Sequence, residues 1–308
     1  LVRNKCFILL QLLYTTSMTS RKLLVTHHSP DLDAVGAVWL LKRFVGQEFA
    51  TAKTAFVDPG TTISANEAHQ LGVDLHEVTH VDTGLGEFDH HQEDRGKEFL
   101  SATLLTYQYA CKVHPDLKKD SALEKLAHFV TEIDHFQEVH WPESGDIRYC
   151  FMIHELIKGI EYMEEHSDES QLHFGMTCLD SAYAVITQHL KAREIIDTEA
   201  EEFHIKSGPV LALETSNDDT IKLAQKDGFI LVVRKDPVLG TIRIKARPDA
   251  DLTLEALKEA ILKKDTVGNW YYHPGGKMLI NGSRKHTTQQ PSPLSLQDVV
   301  QMIKELYS

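Results

Sequence analysis

The sequence predicts an α/β protein with two domains, an N-terminal parallel-sheet domain and a smaller C-terminal α+β domain. In the first half, short apolar runs that suit strands precede helical patterns, as 23–26 precedes 34–44. A long helical pattern covers 177–206 and leads from one half to the other. Beyond Gly208, strand-like runs are separated by turn residues, which is typical of an α+β domain.

The individual elements follow from local patterns. Residues 23–26, Leu-Leu-Val-Thr, predict a short buried strand, and the apolar spacing from Ala34 to Phe44 predicts a helix after it. A second strand is predicted at 78–81, and the amphipathic segment 122–130 predicts a further helix. In the second domain, strands are predicted at 210–213, 229–233 and 241–246, and helices at 252–264 and 296–306.

Length and composition allow two domains with cores of their own. The chain has 308 residues, of which 42% are hydrophobic and 25% are charged, and this composition does not indicate disorder. We predict one domain at 18–175 and another at 208–308, joined by a connecting helix at 176–207. Residues 1–17 precede the first methionine, and we treat them as an N-terminal extension of doubtful status.

A cluster of metal-ligand side chains follows the first predicted strand. His27, Asp31 and Asp33 lie in the loop between this strand and the next helix. Strand-to-helix loops face the carboxyl edge of a parallel sheet, where α/β proteins bind ligands. Taken alone, the two aspartates could cap the helix, and His27 or His28 could be an ordinary loop histidine.

A second cluster, Asp82 with Asp89, His90 and His91, supplies the same ligand types downstream. Helix capping does not require two adjacent histidines, so the two clusters together predict one two-metal site. Imidazole and carboxylate ligands without a nearby thiolate suit two Mn²⁺ ions, with Mg²⁺, Co²⁺ or Zn²⁺ as alternatives. Such a pair can activate water and clamp a phosphoryl group, with a carboxylate such as Asp33 or Asp82 between the ions.

These residues carry a family resemblance. The pattern His-x-x-x-Asp-x-Asp at 27–33, Asp82, and Asp89-His90-His91 resemble the DHH phosphoesterase superfamily, which includes RecJ-type exonucleases and manganese pyrophosphatases. The strings at 81–84 and 88–92 are similar to its melanocyte-proliferating-gene branch of metal-dependent hydrolases, where Asp-His-His is followed by Gln. The first motif departs from the opening of that branch and keeps the commoner superfamily form.

The resemblance implies roles for individual residues. The superfamily places a further metal-binding aspartate after a helix, and Asp134 fits that place, with a helix-terminal carboxylate as the alternative. His91 would face the phosphate as an acid or electrostatic partner, and Asp89 would orient it. The implied metal ligands are His27, Asp31, Asp33, Asp82, His90 and Asp134, and the implied catalytic residues are His91, Asp89 and Asp33.

The C-terminal domain holds a second motif at 271–277, followed by 281–286. Paired glycines let a backbone approach an anion, and neighbouring basic side chains can neutralise phosphate charge. The motif resembles the glycine-rich substrate loop of the superfamily, while an ordinary turn and a solvated basic face are the alternatives. Arg243, Lys245 and Arg247 would share one face of a strand. The predicted substrate-binding residues are Arg247, His273, Gly275, Gly276, Lys277 and Arg284.

The charge distribution bears on the size of the substrate. The net charge is -13, yet residues 240–290 contain nine Lys or Arg against five Asp or Glu. Long nucleic acids bind through many phosphate contacts, and an acidic body repels them. We therefore expect a short oligonucleotide or a small phosphorylated substrate as the partner, and no long duplex.

The function expected from these patterns is hydrolysis of phosphodiester bonds in short oligonucleotides or dinucleotides by a two-metal mechanism. The alternatives are a manganese-dependent inorganic pyrophosphatase or other phosphoanhydride hydrolase, and a non-catalytic metal- or nucleotide-binding module. The cysteines show no Cys-x-x-Cys spacing, and the apolar run near the N-terminus is too short for a membrane span. We expect a cytoplasmic protein without a membrane partner, and a homodimer stays open.

Overall fold

The computed structural model describes residues 22–282 and 288–308. The predicted substrate residue Arg284 and the extension 1–17 therefore lie outside the described residues. The chain forms two compact units, the first ending at Tyr183 and the second beginning at Ala184.

The first unit contains a three-stranded parallel sheet with the strand order β2-β1-β3. β1, Leu23–His27, pairs with β2, Lys53–Val57, on one side and with β3, Val78–His80, on the other. Leu23 lies opposite the first residue of each neighbouring strand, so the three strands run in register. The residues after His27 and after β3 therefore emerge at the same edge of the sheet, as the sequence predicts.

Helices surround this sheet, and the first of them carries the predicted aspartates. The helices are α1 (Leu32–Leu40), α2 (Gln47–Ala50), α3 (Ala65–Gln70), α4 (Ala102–Val113), α5 (Ser121–Asp134), α6 (Ile153–Gly159) and α7 (Asp168–Glu199), the last of which continues past Tyr183. Every residue of α1 is buried, because it packs against α4 and α5. A Cβ at Gly36 would lie 2.3 Å from the Thr103 Oγ1 atom, so the close approach of α1 to α4 requires glycine there.

The second unit is built on a six-stranded mixed sheet with the order β4-β5-β6-β7-β9-β8. β5 and β6 run parallel, and every other neighbouring pair is antiparallel. Its strands are β4 (Glu201–Ile205), β5 (Gly208–Glu214), β6 (Leu231–Lys235), β7 (Ile242–Ala246), β8 (Tyr271–Tyr272) and β9 (Met278–Asn281), and its helices are α8 (Asp219–Lys226), α9 (Glu255–Lys264) and α10 (Leu296–Tyr307).

Alternating residues of the strands fill a core on each face of this sheet. Val233 and Ile244 point to one core, together with α9 and α10, whereas Leu211 and Val232 point to the other, together with α8 and the end of α7. This period of two is the pattern expected for strands covered on both faces. The predicted α/β class, with a parallel sheet first and a smaller α+β unit after it, is confirmed.

One predicted element is wrong at both ends. The connecting helix predicted at 176–207, from a helical pattern at 177–206, is α7, which begins at Asp168 and ends at Glu199. Residues 201–205 instead form β4, because they pair antiparallel with β5 and bury Ile205. At residues 201–205, pairing with β5 outweighs the local helical pattern. No helix in the described part of the chain has the length and apolar character that crossing a membrane requires.

Candidate metal centre

The two predicted ligand clusters meet at the carboxyl edge of the parallel sheet. His27 is the last residue of β1, and Asp82 follows β3 after Val81, which bridges to Phe88. The His27 Nε2 atom lies 3.3 Å from an Asp82 carboxylate oxygen. Asp82 has a φ of 53°, in the left-handed region, which aspartate tolerates better than most side chains. Its backbone N–H donates to the Phe88 carbonyl at 2.9 Å, which helps to hold this conformation.

His90 lies among three of the predicted carboxylate ligands. Its Nε2 atom is 3.8 Å from Asp33 Oδ2, 3.7 Å from Asp82 Oδ1 and 3.5 Å from Asp134 Oδ2. His90 is buried and Asp134 is the last residue of α5. Sequence positions separated by about a hundred residues therefore supply one compact group of ligand atoms.

Asp31 caps the helix that follows it, as the alternative interpretation proposed, whereas Asp33 binds the start of a different helix. Asp31 Oδ1 accepts hydrogen bonds from the backbone N–H groups of Asp33 at 2.9 Å and Ala34 at 3.1 Å. Asp33 does not cap its own helix, because its carboxylate accepts from the N–H groups of Ala102 at 2.6 Å and Thr103 at 2.9 Å, at the start of α4. Capping and metal binding are compatible, since a carboxylate offers about four lone-pair sites.

Asp31 also belongs to a second group of ligand atoms. Atoms of His27, Asp31 and Asp82 lie within 4.8 Å of one another. Asp82 is thus common to this group and to the group around His90.

The orientation of His27 is set by a backbone carbonyl. His27 Nδ1 lies 2.7 Å from the carbonyl oxygen of His28, an acceptor only, so Nδ1 carries the proton of that hydrogen bond. The Nε2 atom, which faces Asp82, is left with its lone pair when the imidazole is neutral. Histidine ligands of metals are commonly held in this way, with the second ring nitrogen donating to a carbonyl or carboxylate.

Asp89 and His91 form a pair in which the buried carboxylate orients the exposed imidazole. Asp89 Oδ1 lies 2.7 Å from His91 Nδ1 and accepts the His91 backbone N–H at 3.1 Å, while Oδ2 accepts the N–H of Leu85 at 2.7 Å. The His91 side chain is 60% exposed. Burial lowers the pKa of His91, but the hydrogen bond and charge of Asp89, with the charge of Asp82, outweigh burial and raise it.

Sequence reasoning missed several residues that support the centre. His135 groups with His90 and Asp134 within 4.8 Å, and its Nε2 atom lies 2.8 Å from the Leu100 carbonyl oxygen. Arg95 donates to the carbonyls of Glu87 at 3.2 Å and Asp89 at 3.1 Å, which fixes the loop before the histidine pair. His135 could have been predicted, because it directly follows the predicted ligand Asp134. The Arg95 contacts could not, because they involve only backbone acceptors, which leave no pattern in the sequence.

Two buried ligand atoms of this cluster lack hydrogen-bond partners among the described residues. They are Asp82 Oδ1 and His90 Nε2. Buried polar groups are normally satisfied, and an orphaned oxygen and nitrogen in a group of carboxylates and imidazoles are what a divalent cation would satisfy. The donor set therefore fits a metal.

The carboxylates themselves indicate the need for a cation. Burial and the charge of Asp33 raise the pKa of Asp82 to about 7, and burial with the charges of Asp33 and Asp82 raises the pKa of Asp134 to about 9. Burial and the charge of Asp31 also raise the pKa of Asp33. Like charges held this close resist simultaneous ionisation, and a bound cation would remove that resistance.

These shifts predict that the metal-free protein becomes less stable as the pH rises. Between about 4 and the raised values, the folded carboxylates hold protons that the unfolded chain has lost, so stability falls as the pH rises. His27 acts in the same direction from its ordinary 6.5 up to about 9, because burial is outweighed by the Asp82 hydrogen bond and the neighbouring charges. His90, whose pKa burial lowers, opposes this trend only up to about 6.5.

Between pH 6.5 and pH 9, Asp134 alone corresponds to roughly 3 kcal/mol, so the expected result is a fall of roughly 3 kcal/mol or more in the free energy of unfolding over this interval. Urea unfolding in the presence of a chelator measures it, with Asp134→Asn as the comparison. The variant should show a shallower decline. Equal slopes for both proteins would show that Asp134 is not a buried, proton-retaining carboxylate.

Four of the predicted substrate residues, His273, Gly275, Gly276 and Lys277, lie between β8 and β9. His273 accepts the Gly276 N–H through its carbonyl at 2.9 Å, and Gly276 has a φ of 73°, so this is a tight turn that needs glycine. Lys277 donates to the Ala250 and Leu252 carbonyls at 2.5 and 2.7 Å. The Lys277 amino group is thus held by backbone oxygens. Gly275 donates its N–H to His273 Nδ1 at 3.0 Å.

The basic strand residues are held by carboxylates to different degrees. Arg247 donates to Asp249 at 2.6 Å, whereas Arg243 shares Asp218 with Arg234, at 2.7 and 2.8 Å. Arg234, which the sequence reasoning missed, lies directly opposite Arg243 and is 2% exposed. Arg243 and Lys245 lie two residues apart on β7 and share one face, as predicted. Arg247 was predicted on the same strand face, but β7 ends at Ala246, so Arg247 is not part of it.

The sequence and the fold were compared with known proteins. No protein-family model and no curated protein matches the sequence. A DHH-domain protein described as a member of a family of ribosomal proteins matches at 13% identity and a TM-score of 0.31, covering 94% of this chain and 88% of that one.

Two further structures are similar at the same low level. RecJ from Thermus thermophilus, in complex with Mn²⁺, matches at 13% identity and a TM-score of 0.31 over 86% of this chain and 50% of RecJ. CDC45 from Entamoeba histolytica matches at 12% identity and a TM-score of 0.26, over 92% of this chain and 95% of that one. With TM-scores of this size, the likenesses give no activity or substrate for this chain.

Proposed function

We propose that this protein is a divalent-metal-dependent hydrolase that cleaves phosphodiester bonds of short oligonucleotides or dinucleotides. The observation that carries the proposal is the orphaned pair Asp82 Oδ1 and His90 Nε2, which are 3.7 Å apart and buried among carboxylates. A group of this composition at the carboxyl edge of a parallel sheet is suited to metal-assisted chemistry on a ligand.

The residues divide into two sets that share one carboxylate. His27, Asp31 and Asp82 would hold one ion, and Asp33, Asp82, His90 and Asp134 would hold the other. When bound, a pair of Mn²⁺ ions supplies charge neutralisation for a phosphoryl group and lowers the pKa of water. Asp82 belongs to both sets, so its carboxylate could contribute to holding either ion.

The chain's own residues would bind the substrate and move a proton. His91 is exposed beside the cluster, and Asp89 fixes its Nδ1 atom, so the opposite ring nitrogen, Nε2, can face a phosphate oxygen. Because its pKa is raised, this imidazole holds a proton more readily than an ordinary histidine and can donate it to a leaving oxygen. The hydrogen bond to the buried Asp89 keeps the ring in that orientation.

The proposed preference for a short substrate follows from the net charge of the chain and from the contacts that hold its basic side chains. The net charge of -13 disfavours a long polyanion, and a short strand or dinucleotide requires few phosphate contacts. In the second unit, Lys245 offers a cationic group on one face of β7, beside Arg243, which is paired with Asp218 at 2.7 Å. The amino group of Lys277 and the guanidinium group of Arg247 are held by partners within that unit, so they would have to exchange these contacts to bind phosphate.

Product analysis tests the proposal. The protein is incubated with Mn²⁺ and, in separate reactions, with an end-labelled RNA of a few nucleotides, a dinucleotide and pyrophosphate, each beside a chelator control. Metal-dependent release of mononucleotides from the RNA or the dinucleotide is expected. Phosphate released from pyrophosphate alone would favour the phosphoanhydride hydrolase, and no turnover with retained Mn²⁺ binding would favour the non-catalytic module.

A further inference from the structure

The first turn of α7 holds the loop that carries the metal ligands. Asp168, the first residue of α7, accepts the Ser29 backbone N–H through Oδ1 at 2.7 Å. Its Oδ2 atom lies 2.6 Å from His28 Nδ1. One turn further, the buried Gln171 side chain donates to the Pro30 carbonyl at 3.2 Å. Three successive loop residues are therefore fixed by one helix end that lies about 140 positions away in the sequence.

The held loop includes the carbonyl that orients His27. That carbonyl belongs to His28, whose side chain and following N–H are both bound by Asp168. Ser29 has a φ of 51°, a left-handed conformation that costs a residue with a Cβ on the order of 1 kcal/mol. The hydrogen bond from Ser29 to Asp168 offsets this cost, so the peptide stays turned with the His28 carbonyl toward His27.

We propose that Asp168 is a positioning residue of the metal centre, which raises metal affinity by holding the His28 carbonyl against His27 Nδ1. The chain of contacts runs from Asp168 through the 28–29 peptide to His27 and ends at Asp82, 3.3 Å from His27 Nε2. The partner that directly fixes the ring of His27 is the His28 carbonyl, and loss of such a partner weakens metal binding about 10- to 100-fold. Asp168 acts one contact further out, by holding that carbonyl in place. The inference rests on the proposed function, because it assumes that His27 is a metal ligand.

Asp180 offers a matched control on the same helix. Its carboxylate accepts hydrogen bonds from Trp39 Nε1 at 2.7 Å and from Arg43 at 2.9 and 3.0 Å, at the other end of α1 from the cluster. Removing it also takes a carboxylate from the α1–α7 contact, but leaves the 28–30 loop intact. A purely structural role for Asp168 would make the two aspartates behave alike.

Calorimetric titration of the metal-free full-length protein with Mn²⁺ alone tests the proposal. Asp168→Ala is expected to raise the Kd by up to about 100-fold, and Asp168→Asn to raise it less, because an amide oxygen still accepts the Ser29 N–H. Asp180→Ala is expected to bind Mn²⁺ like the wild type. The visible spectrum of the Co²⁺-loaded protein should change in Asp168→Ala and not in Asp180→Ala.

The outcomes separate this inference from the proposed function. Saturable binding by the wild type with an unchanged Kd and Co²⁺ spectrum in both Asp168 variants would overturn the role of Asp168 alone. Absence of saturable binding by the wild type would overturn the proposed function, and this inference with it. If Asp168→Ala fails to fold, Asp168→Asn and His28→Ala, which retains the His28 carbonyl, supply the comparison.

Discussion

Asp82→Asn is expected to lower turnover of a short RNA by on the order of a thousandfold or more. Asp82 is the one carboxylate shared by both sets of ligand atoms, and its Oδ1 atom has no hydrogen-bond partner among the described residues. An amide of the same shape keeps the packing but cannot supply the charge that a divalent cation needs. Turnover and Mn²⁺ affinity should therefore fall together.

The control for Asp82→Asn is Asp116→Asn. Asp116 is an almost fully exposed carboxylate that pairs with Lys119, and its loss should leave turnover unchanged. Above pH 7 the metal-free Asp82→Asn protein should be at least as stable as the wild type, because a buried carboxylate with a raised pKa has been removed. Wild-type turnover by a folded Asp82→Asn variant would contradict the assignment of the centre.

His91→Asn is expected to lower kcat by about 10²- to 10⁴-fold while changing the Mn²⁺ affinity little. Asp89 fixes Nδ1 of this exposed imidazole, so we propose that His91 presents a proton to the substrate and does not hold an ion. Steady-state kinetics at saturating Mn²⁺, together with calorimetry, separate the two effects. Asp89→Asn should produce a smaller loss of the same kind, because it removes the charge that holds the proton on His91.

The position of His91 also allows an alternative role, as a metal ligand. One of its ring nitrogens lies within 4.8 Å of ligand atoms of Asp82 and His90, so it could itself bind metal. A loss of Mn²⁺ affinity in His91→Asn as large as that in Asp82→Asn would contradict the proton-donor role. His128→Ala, an exposed histidine on α5, is the control and should match the wild type.

The sequence predicts those parts of the centre that lie close to recognisable strand ends. His27 and Asp82 follow parallel strands, and the common direction of such strands is enough to place both at one edge of the sheet. The roles assigned to these residues stay predictions. What the structure adds is that their ligand atoms lie within a few ångströms of one another.

The supporting contacts could not be predicted in the same way. Asp168 reaches the 28–29 peptide from about 140 positions away, and nothing about an aspartate at the start of a helix distinguishes it from an ordinary first-turn carboxylate. For Asp33 the sequence indicated a capping role but not the helix involved. Its carboxylate binds the start of α4, which was not among the predicted helices. The end of α7 at Glu199 likewise depends on strand pairing with β5, which a local helical pattern does not contain.

The metal centre is tested most directly by a calorimetric titration of Mn²⁺ into the metal-free protein, with Asp82→Asn measured in parallel. The wild type is expected to bind two ions per chain saturably, and the variant to lose this binding or to bind much more weakly. No saturable binding by the wild type, or equal binding by both proteins, would contradict the claim that these carboxylates and imidazoles form a metal centre.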